Sequence, residues 1–197
     1  MRIFSVFVLS ILATFWIDVS RANDGLSDQE VSFWAAVNTG STFVLMRHAL
    51  APGNSDPDNF DVNDCATQRN LSQAGRNQAK TIGERLKKNA QVELTVFSSQ
   101  WCRCLETARQ LGLGEVAPLP SLNSFYQRYE REKQQTESTV DWMSKRNAKG
   151  SAVLVTHQVN ITELTGIYPD SGEMVVVKIA DGGVVQVLGR LRTTVEP

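Results

Sequence analysis

Only two histidines occur in this chain, His48 and His157, and each closes a short apolar run. Residues 42–46 lead into Arg47-His48, and residues 152–155 lead into Thr156-His157. A third run, residues 94–97, leads into Ser98-Ser99, with Arg103 one turn into the segment beyond. Continuous runs of this length read as strands buried on both faces, as in a parallel sheet. Sites in open α/β sheets form outside the carboxyl ends of the strands. If the three strands are neighbours, both histidines meet Arg47 and Arg103 in one crevice. A lone histidine is ordinarily structural or exposed; both histidines at like ends of two buried strands are an uncommon coincidence. Two guanidinium forks suit phosphate oxygens bidentately. A neutral imidazole is a competent nucleophile near pH 7. A second, protonated imidazole stabilises the equatorial phosphoryl oxygens. Together they make a phosphoryl-transfer site that needs neither metal nor cofactor.

Competing motifs are absent. There is no Walker-type phosphate loop, no Gly-x-Ser-x-Gly elbow and no Gly-x-Gly-x-x-Gly. Asn54, Asp56 and Asp58 are spaced like the start of a calcium loop, but Asn59 and Cys65 stand where its glycine and closing glutamate belong. Two histidines exclude a His-rich metal site, and Cys102-x-Cys104 with a distant Cys65 is weak support for zinc.

The elements that must position these residues follow from periodicity and caps. Helices are expected over residues 27–38, with Val31, Trp34 and Ala35 inward, and over 72–88, with Ala79, Ile82 and Leu86 inward. Others are expected over 101–111, 137–147 and 160–165. A short strand is expected near Val116. Residues 50–70, rich in Pro, Gly, Asn and Asp, read as a long loop. Residues 174–179 and 184–188 flank Asp181-Gly182-Gly183 as a terminal hairpin. Strands alternating with helices imply an α/β fold, a three-layer αβα sandwich with a mostly parallel sheet.

At 197 residues the chain fits one domain. Its net charge of −1 argues against a nucleic-acid partner. Arg2, an uncharged stretch over residues 3–17 and Ser20-Arg21-Ala22 have the layout of a secretory signal peptide. Residues 1–22 are therefore expected to be removed, leaving a single domain over 23–197. The alternative, a retained anchor, has an apolar run short of the ~20 residues that a spanning helix needs. No stable membrane span is expected after cleavage, and the product would be periplasmic or secreted. Export favours disulfides. Cys65 is expected to pair with Cys102 or Cys104, against the alternative of three free thiols.

The ordered set of motifs resembles the histidine phosphatase superfamily, of phosphoglycerate mutase-like fold. Arg47-His48-Ala49 is similar to its Arg-His-Gly signature. Leu71-Ser72-Gln73-Ala74-Gly75-Arg76 resembles its capped first helix. Ser98 to Arg103, continuing to Glu106-Thr107-Ala108, resembles its Ser-x-x-x-x-Arg-x-x-x-Thr-Ala element, and residues 153–157 its final strand and second histidine. The likeness spans roughly residues 41–189, and the chain closely resembles exported bacterial members with a Met-Arg-His-Ala start and a Thr-His-Gln-x-Asn-Ile ending. It implies His48 as the nucleophile that becomes phosphorylated, with Arg47, Arg103 and His157 completing the phosphate pocket. It also implies Asn54 as a phosphate or substrate contact.

Two departures matter. Ala49 replaces the commoner glycine. The general acid that protonates a leaving oxygen has no clear match: Gln158 and Ser124 stand at the two positions where the family's branches carry an Asp or a Glu. Glu130, Glu132 or an aspartate of the 56–64 loop are the alternatives. The resemblance implies an exported phosphatase acting on a small-molecule or glycan phosphate ester through a phosphohistidine. The rival is a non-catalytic binder of phosphate or phosphorylated glycan on the same fold. Nothing in the sequence sets an oligomeric state.

Overall fold

The computed structural model describes residues 27–146 and 150–194. The expected signal peptide, residues 1–22, lies outside them. Six strands form one sheet: β1 (Phe43–Arg47), β2 (Leu94–Ser98), β3 (Val116–Pro118), β4 (Ser151–Thr156), β5 (Met174–Ala180) and β6 (Val184–Leu191). Their order is β3-β2-β4-β1-β5-β6. The first four are parallel to one another, whereas β5 and β6 join as an antiparallel hairpin on the β1 side. The fold is the expected α/β sandwich with a mostly parallel sheet. β4 is buried along its whole length, as the apolar run over residues 152–155 requires.

Among the described residues, five α-helices cover the sheet. On one face α1 (Asp28–Val37), α2 (Gln73–Asn89) and α3 (Cys102–Gln110) bury Trp34, Ile82, Leu86 and Ala108 against Val44, Val96 and Val153. On the other, α4 (Glu132–Arg146) and α5 (Gln158–Thr165) bury Met143, Ile161 and Leu164 against Phe43, Leu45 and Leu154. Alternate residues of β1 and β4 thus serve opposite cores, as the period-two geometry of a strand dictates.

Several boundaries differ from the sequence reading. The inward face of α1 is Phe33, Trp34 and Val37; Val31 and Ala35 are exposed. The helix presents its most aromatic side to the sheet, and Ser27 and Glu30 fix its start through a capping box. α4 begins at Glu132 rather than 137, and α5 begins at Gln158 rather than 160. The second shift matters, because His157 becomes the cap residue of α5 and the helix's positive end adjoins the site.

Two close approaches fix how α2 meets its neighbours. A Cβ on Gly75 would lie 2.1 Å from the Leu50 carbonyl oxygen, and one on Gly83 would lie 2.2 Å from the Leu111 carbonyl oxygen. Only glycine lets α2 pack this tightly against the loop that follows His48 and against the end of α3.

Candidate active site

β4 lies between β1 and β2, so the carboxyl ends of all three emerge side by side. The ladder continues one residue beyond the strands: His48 N–H donates to Thr156 O at 2.9 Å, and Ser99 N–H donates to Val155 O at 2.9 Å. His48 and Ser99 are therefore held as rigidly as the strands. The imidazoles of His48 and His157 face each other with ring centres 5.6 Å apart. Both rings are buried and line a cavity of about 650 Å³.

The tautomer of His48 is set by its neighbour. Nδ1 lies 2.8 Å from the Ala49 carbonyl oxygen, which only accepts, so Nδ1 carries the proton of the neutral ring. The lone pair is then on Nε2. Burial first, then Arg103, Arg69 and Arg47, hold the His48 pKa well below the ordinary histidine value, opposed only by the Ala49 carbonyl. His48 is a neutral, oriented nucleophile.

His157 is held by a polar network. Its Nε2 lies 2.8 Å from Ser99 Oγ, which is 3.2 Å from Asn123 Oδ1. Asn123 is itself fixed by the Gln100 backbone and side chain and by Asn160, whose Nδ2 donates to Asn123 O at 2.9 Å. This leaves the Nδ1 side of His157 for a ligand. The protonated imidazole expected from sequence is not the state this environment favours. Burial, Arg103 and His48 hold His157 well below its ordinary pKa. A phosphate dianion among the same arginines reverses that balance and favours the imidazolium. Cys104 Sγ lies 3.5 Å from His157 Nε2, but burial pushes its thiol up to about 12, so it stays protonated.

Three arginines converge on the histidines, one more than the sequence indicated. Arg47 Nη1 donates to Pro169 O at 2.9 Å. Arg103 places both ends of its fork on Asp56, at 2.6 and 3.1 Å. Arg69 donates to the Ala51 carbonyl, and burial together with Arg103 lowers its pKa to about 10. The Nε–H of each of the three is buried without a hydrogen-bond partner. All three side chains line the cavity beside the two histidines, and three cations around one space form a cradle for an oxyanion.

The loop before α2 delivers Arg69 and Asp56. Cys65 is bonded to Cys102, with Cα atoms 5.6 Å apart, and Cys104 is the free thiol. Around that bridge, Phe60 stacks on Trp101 at 4.9 Å and Gln68 Oε1 accepts the Cys102 N–H at 2.9 Å. Trp101 Nε1–H donates to Asp56 Oδ2 at 3.0 Å. Burial alone would raise the Asp56 pKa, but Arg103, the Arg69 N–H and Trp101 outweigh it and hold the carboxyl below its usual range. Asp56 orients Arg103 and is ionised, so it is no general acid. Arg69 carries no motif of its own. Its signal was its place four residues after a cysteine tied beside Arg103.

The other sequence candidates separate. Asn54, Asp58, Ser124 and Gln158 line the cavity. Glu130 is exposed and Glu132 part-exposed, and neither lines it. Among the described residues, no group of three or more His, Cys, Asp or Glu is placed to hold a metal ion.

The family model of the histidine phosphatase superfamily (branch 1) matches residues 43–125. Comparison with curated proteins gives no match. Among solved structures, the protein histidine phosphatase SixA complexed with tungstate is 17% identical, with a TM-score of 0.56 over 76% of this chain and 96% of that one. Phosphoserine phosphatase from Entamoeba histolytica, in complex with 3-phosphoglyceric acid, is 15% identical, with a TM-score of 0.56 over 78% and 98%. The mycobacterial glucosyl-3-phosphoglycerate phosphatase is 15% identical, with a TM-score of 0.55 over 79% and 97%. These likenesses are of fold.

Proposed function

We propose that this chain, whose residues 43–125 match the family model of the histidine phosphatase superfamily (branch 1), is an exported phosphatase that hydrolyses a phosphate monoester through a phosphohistidine on His48. The observation that carries the reading is the set of three arginines, Arg47, Arg69 and Arg103, lining one cavity with two neutral, opposed imidazoles. Arg47, Arg69 and Arg103 grip the phosphoryl oxygens. His48 Nε2 attacks phosphorus while the leaving oxygen departs, and His157, charged by the dianion, stabilises the equatorial oxygens. Water then attacks the phosphohistidine, releasing orthophosphate and restoring His48. The arginines and His157 meet the phosphoryl charge with no part left for a metal or cofactor. Asn54, on the exposed loop, is a substrate contact.

Export is part of the proposal. It rests on the signal-peptide layout of residues 1–22, and the Cys65–Cys102 bridge suits an oxidising compartment. Among the described residues no helix is long and apolar enough to cross a membrane. Amino-terminal sequencing of the protein recovered outside the cytoplasm should begin at Asn23.

The decisive experiment is turnover of p-nitrophenyl phosphate by wild type and His48→Ala. Wild type should turn it over, and acid-free trapping should show an alkali-stable phosphoenzyme. His48→Ala should keep its fold and lose activity by several powers of ten, on the order of 10⁴ or more. Substantial residual activity in folded His48→Ala sinks the mechanism. Phosphate binding without turnover by wild type makes the protein a binder of phosphate or phosphorylated glycan instead.

A further inference from the structure

The cavity is much larger than one phosphate, and its outer wall is basic. Residues 124–131 supply Ser124, Tyr126, Gln127, Arg128 and Arg131 to that wall. With Arg47, Arg69 and Arg103 the lining holds five arginines against two aspartates, Asp56 and Asp58, and Asp56 is already engaged by Arg103. A single phosphate dianion leaves this field unbalanced; a second phosphate beside it matches the excess.

The backbone of the same wall is specialised. Gln127 has φ +62°, the one positive φ outside glycine among the described residues. It sits in a turn closed by Arg128 N–H donating to Phe125 O at 2.7 Å. Such a turn ordinarily takes glycine or asparagine at that position. Strain of this kind gathers where a segment is shaped for a ligand.

Residues 124–131 bring no carboxyl group to the cavity. Ser124 and Gln158 occupy the positions where an acid was sought, and Gln158 Nε2 donates to Thr162 Oγ1 at 2.8 Å. Asp56 is an ionised partner of Arg103, and Asp58 is exposed on the loop. An alkoxide leaving group, about as basic as hydroxide, needs a proton from an acid. A phosphate leaving group, whose second pKa is about 6, does not.

We propose a further activity for this site: hydrolysis of the terminal phosphoanhydride of a diphosphate, with the departing phosphate held by Arg128 and Arg131. It rests on the phosphohistidine reading above. His48 Nε2 forms the N–P bond to the terminal phosphorus. The P–O bond to the bridging oxygen breaks, and its electron pair leaves on the second phosphate, which needs no proton. Water then attacks the phosphohistidine; the N–P pair returns to Nε2 and both water protons leave on dihydrogen phosphate.

The test compares inorganic pyrophosphate, glycerol 2-phosphate and p-nitrophenyl phosphate with the purified, oxidised protein in EDTA. Pyrophosphate should exceed glycerol 2-phosphate in kcat/KM by about 100-fold or more, the range a missing general acid commands. An Arg128→Gln/Arg131→Gln double variant, checked for fold by circular dichroism, should lower the pyrophosphate to p-nitrophenyl phosphate ratio by about tenfold. If p-nitrophenyl phosphate is hydrolysed but pyrophosphate is no better than glycerol 2-phosphate, or the ratio survives the double variant, the diphosphate activity is wrong and the monoesterase reading stands. Loss of glycerol 2-phosphate turnover in Asp58→Asn makes Asp58 the acid and overturns it equally. No turnover of any substrate by wild type overturns both readings.

Discussion

His48 and His157 are both neutral in an environment of three guanidinium groups, and that has a cost in acid. Each is held well below the ordinary histidine pKa when folded. Unfolded, each titrates near 6.5. Below about 6.5 the unfolded chain therefore binds protons that the folded chain does not, and stability falls as pH falls. Each histidine contributes a slope approaching 1.4 kcal/mol per pH unit in that window. Melting temperature should drop between pH 7.5 and 5.5, and His157→Gln should flatten the slope. A melting temperature indifferent to pH across that window would contradict the neutral pair. The same depression keeps the nucleophile unprotonated at mildly acidic pH, so the acid limb of kcat/KM lies below 6.5. At this scale the sequence was informative where chemistry coincided with strand ends: Arg47, His48, Arg103 and His157. It was silent on Arg69 and offered Asp56 only among candidate acids, not as the partner of Arg103, because their places depend on where a long loop lands, which no periodicity encodes.

At the scale of elements, the loop between β1 and α2 is the working part, and its anchor is the Cys65–Cys102 bridge. The bridge spans 37 residues, for which chain entropy suggests a stabilisation of about 3–4 kcal/mol. It ties Asp56, Phe60, Gln68 and Arg69 to the start of α3, where Arg103 begins its turn. The pairing was narrowed from sequence to Cys65 with either Cys102 or Cys104. The structure resolves it because Cys104, two residues on, lies on the buried face of α3 toward the sheet. Titration of the denatured, unreduced protein should find one reactive thiol per chain; three would remove the bridge. Cys65→Ser should lower stability by about 3–4 kcal/mol and weaken phosphate binding, since Arg69 and the carboxylate that orients Arg103 come with the loop. Helix positions were legible from caps and apolar spacing, but helix faces less so. For α1, Val31 and Ala35 fit the helical period as well as Phe33 and Val37 do. Only the sheet below decides which stripe is covered.

For the whole molecule, the order β3-β2-β4-β1-β5-β6 is what turns scattered residues into a site. The crossover puts β4 between β1 and β2, so residues more than a hundred positions apart in sequence share one rim. The alternation of strands and helices announced a parallel sheet. It did not announce which strand lies in the middle, because burial on both faces looks the same for every central strand. The arrangement makes the fold and the anion site mutually dependent: the three arginines come from β1, the loop and α3, and a ligand that all three grip links them. Binding to the folded state alone stabilises by RT ln(1 + [L]/Kd), about 2.7 kcal/mol at a hundredfold excess over Kd. For a chain of this size that is a rise of roughly 5–10 °C in melting temperature. Inorganic phosphate or tungstate should produce that rise in wild type, and Arg103→Ala should abolish most of it. EDTA should leave both the rise and the phosphatase activity unchanged, because Arg47, Arg69 and Arg103 already supply the positive charge that a divalent cation would bring. If chelation removed the shift and Mg²⁺ or Zn²⁺ restored it, the oxyanion would be bound through a metal and the arginine cradle would not be its site.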